Sequence, residues 1–134
     1  MQFFMPMMPP TVTHQEKKTT VNKHTGKIIY YEPAELKQAR AKLTAHLSQN
    51  RPDEPFECAL HLQTAWLFPA DEKHPPNSWK TTKPDTDNLQ KMLKDIMTQL
   101  GYWKDDALVC SELVSKSYSS QPGIFIEIKP LKGV

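Results

Sequence analysis

Apolar and polar positions alternate most clearly between Phe56 and Phe68, where Phe56, Cys58, Leu60, Leu62, Trp66 and Phe68 share one parity and Glu57, His61 and Gln63 the other. That period of two predicts a half-buried strand of a sheet with one covered face. Helical steps of three and four govern two other stretches. From Ala34 to Ser48, Leu36, Ala39, Leu43 and Leu47 predict an amphipathic helix whose far side carries Lys37 and Lys42. From Asn88 to Leu100, Leu89, Leu93, Ile96, Met97 and Leu100 form a second buried stripe, with Lys91 and Thr98 opposite and Gly101 as the stop.

Shorter runs complete the pattern. Phe3 to Met8 reads as a strand start, and "KIIYYEP" as a β-rich run that Pro33 ends or turns into a helix start. Between them, "TVTHQEKKTTVNKHTGK" reads as a polar, basic loop. After the long strand, "PADEKHPPNSWKTTKP" is a connection long enough to be functional or mobile. Two last strands, roughly Ala107 to Tyr118 and Ile124 to Pro130, are predicted to form a hairpin through "SSQPG". The order predicts one α+β domain over residues 1–134, with two helices on one face of a mostly antiparallel sheet.

Composition narrows the chemistry. With 38% hydrophobic and 24% charged residues this is an ordinary globular chain. Four glycines, at 26, 101, 123 and 133, cannot build a phosphate-cradling loop or a dinucleotide fingerprint, so no nucleotide cofactor is expected. Cys58 and Cys110 lie far apart in apolar runs and read as buried free thiols. The opening "MQFFMPMMPP" has no basic leader and is broken by Pro6, Pro9 and Pro10, so neither a signal peptide nor a membrane span is expected, and a cytoplasmic location is. Net charge is +2, unevenly placed: residues 1–52 hold eight Lys/Arg against three acids, and residues 53–134 nine against twelve. A basic half beside an acidic one suits a polyanion held near a metal, although scattered surface charge gives the same tally.

The acids concentrate around the second helix. Asp87 stands directly before its predicted start, where a carboxylate can cap the first turn. Asp85, two positions earlier behind Pro84, is expected to project to the same side. Two converging carboxylates require either a proton or a divalent cation between them, and hard Mg²⁺ fits oxygen ligands best. A calcium loop fails because Leu89 and Gln90 occupy its ligand and glycine places, and zinc lacks any His/Cys spacing. Asp105 and Asp106 follow the helix, and a helix of this length separates its ends by about 20 Å, so only tertiary packing can join the two acid pairs.

Asp85-Thr86-Asp87-Asn88-Leu89-Gln90-Lys91, followed by Gly101-Tyr102-Trp103-Lys104-Asp105-Asp106, closely resembles the D-x-D-N-L-x-K and G-[FYW]-W-x-D-D motifs of the RusA family of Holliday junction resolvases. The detailed match covers about residues 83–109. The resemblance implies a small, dimeric, Mg²⁺-dependent endodeoxyribonuclease of the kind often carried by phages and prophages, with Mn²⁺ able to substitute. It implies that Asp85, Asp87 and Asp106 are the essential acids, that Lys91 is the catalytic lysine and that Asp105 is an outer-shell helper. The opening departs from the family, with "MPPTVTHQEKK" in place of a Pro-Pro-Ser-x-Asn type segment.

The expected reaction is hydrolysis of a DNA phosphodiester, on a four-way or otherwise branched substrate, by a homodimer that cuts opposed strands symmetrically. Candidate DNA contacts are Lys17, Lys18, Lys23, Lys27, Lys80 and Lys83, with Trp79 to stack at the branch. Two other readings compete: a less selective nuclease for flaps and forks, and a non-catalytic DNA-binding accessory module in which the acids only cap and solvate.

Overall fold

Ten residues, Leu60–Pro69, form the strand β4 around which the structure is built, and the alternation read from the sequence is its burial pattern: Leu60, Leu62, Thr64, Trp66 and Phe68 face inward. The computed structural model describes residues 1–13, 18–31 and 33–133, with the side chains of residues 18–20 and 29–31 outside that description. In chain order the other elements are β1 (Gln2–Pro6), β2 (Lys18–Val21), β3 (Ile28–Tyr31), α1 (Ala34–Ser48), α2 (Thr86–Gln99), a short 3₁₀ turn (Asp106–Leu108), β5 (Val109–Ser119) and β6 (Gly123–Pro130).

The main sheet runs β1-β6-β4-β5. β6 is antiparallel to both β1 and β4, while β5 is parallel to β4. A parallel neighbour needs a crossover, and α2 lies in that connection. The predicted β5–β6 hairpin is therefore wrong: the two strands flank β4 rather than each other. β4 ends at Pro69, which has no N–H to extend the ladder, and residues 120–122 step across that end.

Other boundaries also move. The long strand starts at Leu60 rather than Phe56, because Phe56 bridges to Trp103 instead of joining the sheet. The basic loop contains β2, which pairs with β3 in a separate two-stranded ribbon whose turn holds Lys23 and Lys27. Cys58 and Cys110 are free but exposed, not buried: one precedes β4, and the other lies on the outermost strand of the sheet.

Leu36, Leu43 and Leu47 of α1 and Leu89, Met92, Leu93, Ile96 and Met97 of α2 join the inward residues of β4 and Ile124, Ile126 and Ile128 of β6 in one apolar cluster. Each fully buried side chain of this size contributes about 1.5–3 kcal/mol. The long proline-rich connection is not loose. Asn77 N–H donates to Tyr118 O at 2.8 Å, Tyr118 N–H to Ser78 O at 2.8 Å and Lys80 N–H to Lys116 O at 3.2 Å, so it covers the open edge of β5. His74 stacks on Tyr118 with ring centroids 4.4 Å apart. No helix among the described residues is long and apolar enough to cross a membrane.

Candidate active site

The start of α2 is set from β5. Lys116 Nζ donates to the carbonyls of Thr82 and Pro84, the latter at 2.8 Å, and so holds the chain just ahead of the helix. The helix begins at Thr86, two residues earlier than its apolar stripe suggests. Asp85 thus occupies the N-cap position, with extended backbone and no side-chain capping bond, while Asp87 lies inside the first turn. The capping position expected of Asp87 belongs to Asp85.

The far end of α2 closes with a Schellman arrangement. Tyr102 N–H reaches Met97 O at 3.0 Å and Gly101 N–H reaches Thr98 O at 3.1 Å, with Gly101 at φ 81°, a conformation that glycine adopts without strain. Both aromatics of the Gly-Tyr-Trp segment are buried. Tyr102 Oη donates to Leu47 O at 2.6 Å and Trp103 Nε1 to Thr98 Oγ1 at 2.8 Å, which bolts the segment to both helices. Phe56 N–H to Tyr102 O and Lys104 N–H to Phe56 O continue the clamp. Asp105 accepts from Ala107 N–H at 2.9 Å and caps the 3₁₀ turn that presents Asp106. The aromatic half of the motif is thus a mounting for its acidic half.

Asp87 and Asp106 open into one groove of about 300 Å³. Lys91, Lys94 and Asp95 of α2 and Glu112 of β5 also line it, with the buried Gln90. Four carboxylates face two ammonium groups there, and Lys94 is paired with Glu112. Lys91 remains without an ion-pair partner among the described residues, between Asp87 and the remaining acids. From Asp87 to Asp95 the helix advances about 12 Å, so the groove is longer than one ion.

Asp85 is exposed and is not among the residues that line the groove. Among the described residues no three of His, Cys, Asp and Glu converge closely enough to hold a metal ion. Two carboxylates from opposing elements remain, and a hard divalent cation that keeps several waters and shares a substrate phosphate is satisfied by one or two. The donor set fits such a cation.

The candidate DNA contacts fall in separate places. Lys17 lies outside the described residues, and Lys18 is on β2 with its side chain outside the description. Lys23 and Lys27 are exposed at the end of the β2–β3 ribbon. Trp79 is 74% exposed although its backbone bridges to Ser117, so it covers no core. Lys83 is exposed. Lys80 is half-buried: its Nζ donates to Thr82 Oγ1 at 2.9 Å and stands over the rings of Phe68 and Tyr118.

Sequence reasoning missed Gln90, Lys94, Asp95, Glu112 and Lys116. For Gln90 a signal existed: Thr64 is a polar residue on the buried parity of β4, and a hydroxyl there demands a partner. Its partner is Gln90, 2.8 Å away.

An acidic groove that holds Asp87, Asp106 and Lys91 carries the groups that metal-assisted phosphodiester hydrolysis uses. The family model for endodeoxyribonuclease RusA matches residues 7–129. The chain is 32% identical over 129 residues to the crossover junction endodeoxyribonuclease rusA of Lactococcus phage r1t, covering 95% of this chain and 94% of that protein. It is also 32% identical over 116 residues to the uncharacterized protein YqaN of Bacillus subtilis (strain 168), covering 78% and 80%. The chain belongs to the RusA family of endodeoxyribonucleases, the Holliday junction resolvases. Membership implies binding of branched DNA and, in general terms, dependence on a divalent metal.

Proposed function

We propose that this chain resolves four-way DNA junctions as a Mg²⁺-dependent homodimer, with Asp87 and Asp106 as the principal metal carboxylates and Lys91 as the catalytic cation. The observation that carries the reading is that Asp87 and Asp106, from opposite ends of α2 in the sequence, border one groove with Lys91. When bound, the cation supplies Lewis-acid polarisation of the scissile phosphodiester and lowers the pKa of the attacking water. Asp85, at the helix N-cap and outside the groove lining, joins as a third carboxylate only if the site closes around the bound cation. Asp105 acts from outside, by holding the turn that carries Asp106.

Lys91 has no competing ion pair among the described residues, so its ammonium is available to the oxygens on which charge builds as water adds to phosphorus and the 3′ oxygen leaves. The products carry a 5′ phosphate and a 3′ hydroxyl, which a ligase can seal. Lys18, Lys23 and Lys27 of the ribbon and Lys17, which precedes it in the sequence, with Lys80 and Lys83 before α2, supply phosphate contacts along the arms. Trp79 stacks on an unpaired base at the branch. A two-fold junction cut in opposed strands matches two sites related by a two-fold axis.

The test incubates the purified chain and Mg²⁺ with a synthetic mobile four-way junction beside three-way and linear DNA. Paired, symmetric, ligatable nicks confined to the four-way substrate support the reading. Equal cutting of all three identifies an unselective nuclease, and no cutting with retained binding identifies an accessory module.

A further inference from the structure

Gln90 is 3% exposed, yet its side-chain Nε2 has no hydrogen-bond partner among the described residues. Its oxygen is well placed. Trp66 Nε1 donates to Thr64 Oγ1 at 3.1 Å, and Thr64 Oγ1 lies 2.8 Å from Gln90 Oε1. An indole only donates, so the Thr64 hydroxyl accepts from Trp66 and passes its own proton to the amide oxygen. That chain fixes which way the amide points, with oxygen toward β4 and both N–H bonds of the nitrogen uncommitted. A buried donor left unpaired is costly, and native structures rarely keep one without a use.

The surroundings indicate the use. Gln90 lines the same groove as Asp87 and Asp106. It stands three residues after Asp87 on α2, where side chains are neighbours, and helical side chains lean toward the N-terminus, which brings the amide back to the level of the Asp87 turn. The Asp87 carboxylate has no hydrogen bond or ion pair of its own among the described residues. A carboxylate that ligates a metal is normally held by a donor behind it, and loss of such a donor typically weakens metal affinity 10–100-fold.

We propose that the Gln90 amide, oriented by Thr64 and Trp66, is the positioning donor that fixes the Asp87 carboxylate when a divalent cation lies between Asp87 and Asp106; this rests on the nuclease reading above. Gln90 touches neither DNA nor the reacting atoms in this role. Thr64 and Trp66 act one step further back, by aiming the amide.

The experiment measures Mn²⁺ binding to the full chain without DNA, by calorimetry or electron paramagnetic resonance, for the wild type, Gln90→Met, Thr64→Val and Asp87→Asn. The size-matched Gln90→Met change is expected to weaken Mn²⁺ binding by about 10–100-fold and to reduce the rise in Tm on adding Mn²⁺, with the metal-free Tm retained. Thr64→Val, which keeps the donor but frees it, is expected to lose several-fold, and it carries the test if Gln90→Met does not fold. A wild type whose Mn²⁺ binding is lost in Asp87→Asn but unchanged within twofold in Gln90→Met and Thr64→Val overturns this inference alone, and means that a water satisfies the amide. A wild type that neither binds Mn²⁺ nor nicks a junction overturns the nuclease reading and this inference with it.

Discussion

Asp87, in the first turn of α2, and Asp106, on the 3₁₀ turn beyond that helix, border the same groove. Their meeting is tertiary. Lys116 holds the segment before the helix against β5, and Tyr102 and Trp103 anchor the segment after it, so that the returning chain passes alongside α2.

Asp85 tests how far the acidic set extends. It stands at the N-cap without capping and outside the groove lining. If it joins the cation, Asp85→Asn abolishes Mg²⁺-dependent cutting while junction affinity changes little, since phosphate contacts dominate binding. Normal cutting by that variant, measured by single-turnover kinetics, removes Asp85 from the site and leaves Asp87 and Asp106.

Lys91 makes a different kind of contribution. Removing a positioned stabiliser of transition-state charge typically costs about 10²–10³ in kcat. Lys91→Ala is expected to lose that much, with affinity for an uncut junction unchanged within a few-fold. A matched loss of affinity and rate would instead mark Lys91 as an ordinary phosphate contact.

The ribbon lysines are read by salt. Each phosphate contact adds about 0.9 to the slope of log affinity against log salt for duplex DNA. Replacing Lys23 and Lys27 together by alanine should flatten the slope by up to about 1.8, equally on all sequences. An unchanged slope places the DNA elsewhere. In contrast Trp79→Ala is expected to leave Tm unchanged, because the side chain is 74% exposed, and to weaken branched-DNA binding by about 1–3 kcal/mol per stacked base.

Tyr102 carries stability rather than chemistry. Its hydroxyl donates to Leu47 O at 2.6 Å inside the core; Tyr102→Phe removes that bond at a cost of about 0.5–1.5 kcal/mol, since Leu47 O keeps the Asn50 N–H at 3.2 Å. Burial pushes its phenol above the usual value. The folded state therefore holds the proton more tightly than the unfolded one. That stability is complete below the unfolded value of about 10 and is lost as pH rises from there through the folded value. Denaturant melts of wild type and Tyr102→Phe should converge above pH ~10; a constant difference between them contradicts the assignment.

Where local chemistry decides, the chain was readable in advance. The alternation of β4 and the stripes of both helices are written in neighbouring residues, as is the glycine that ends α2. Pairing between distant strands is not: "SSQPG" looks like a hairpin turn, yet Ser119 and Gly123 end up on opposite sides of β4. The polar run after Thr11 hid β2, whose residues Lys18–Val21 find their ladder only against β3. At the site, the motifs named the acids, but their spacing could not show that Asp87 lines the groove while Asp85 does not. Gln90 escaped because its neighbour Thr64 belongs to another element altogether.

Single-turnover cleavage of a synthetic four-way junction under Mg²⁺ by wild type, Asp87→Asn and Asp106→Asn tests the shared groove most directly. The prediction is paired symmetric nicks from the wild type and at least about a 100-fold loss in each variant, with junction binding intact. Near-normal cutting by either variant contradicts a cation held jointly by Asp87 and Asp106.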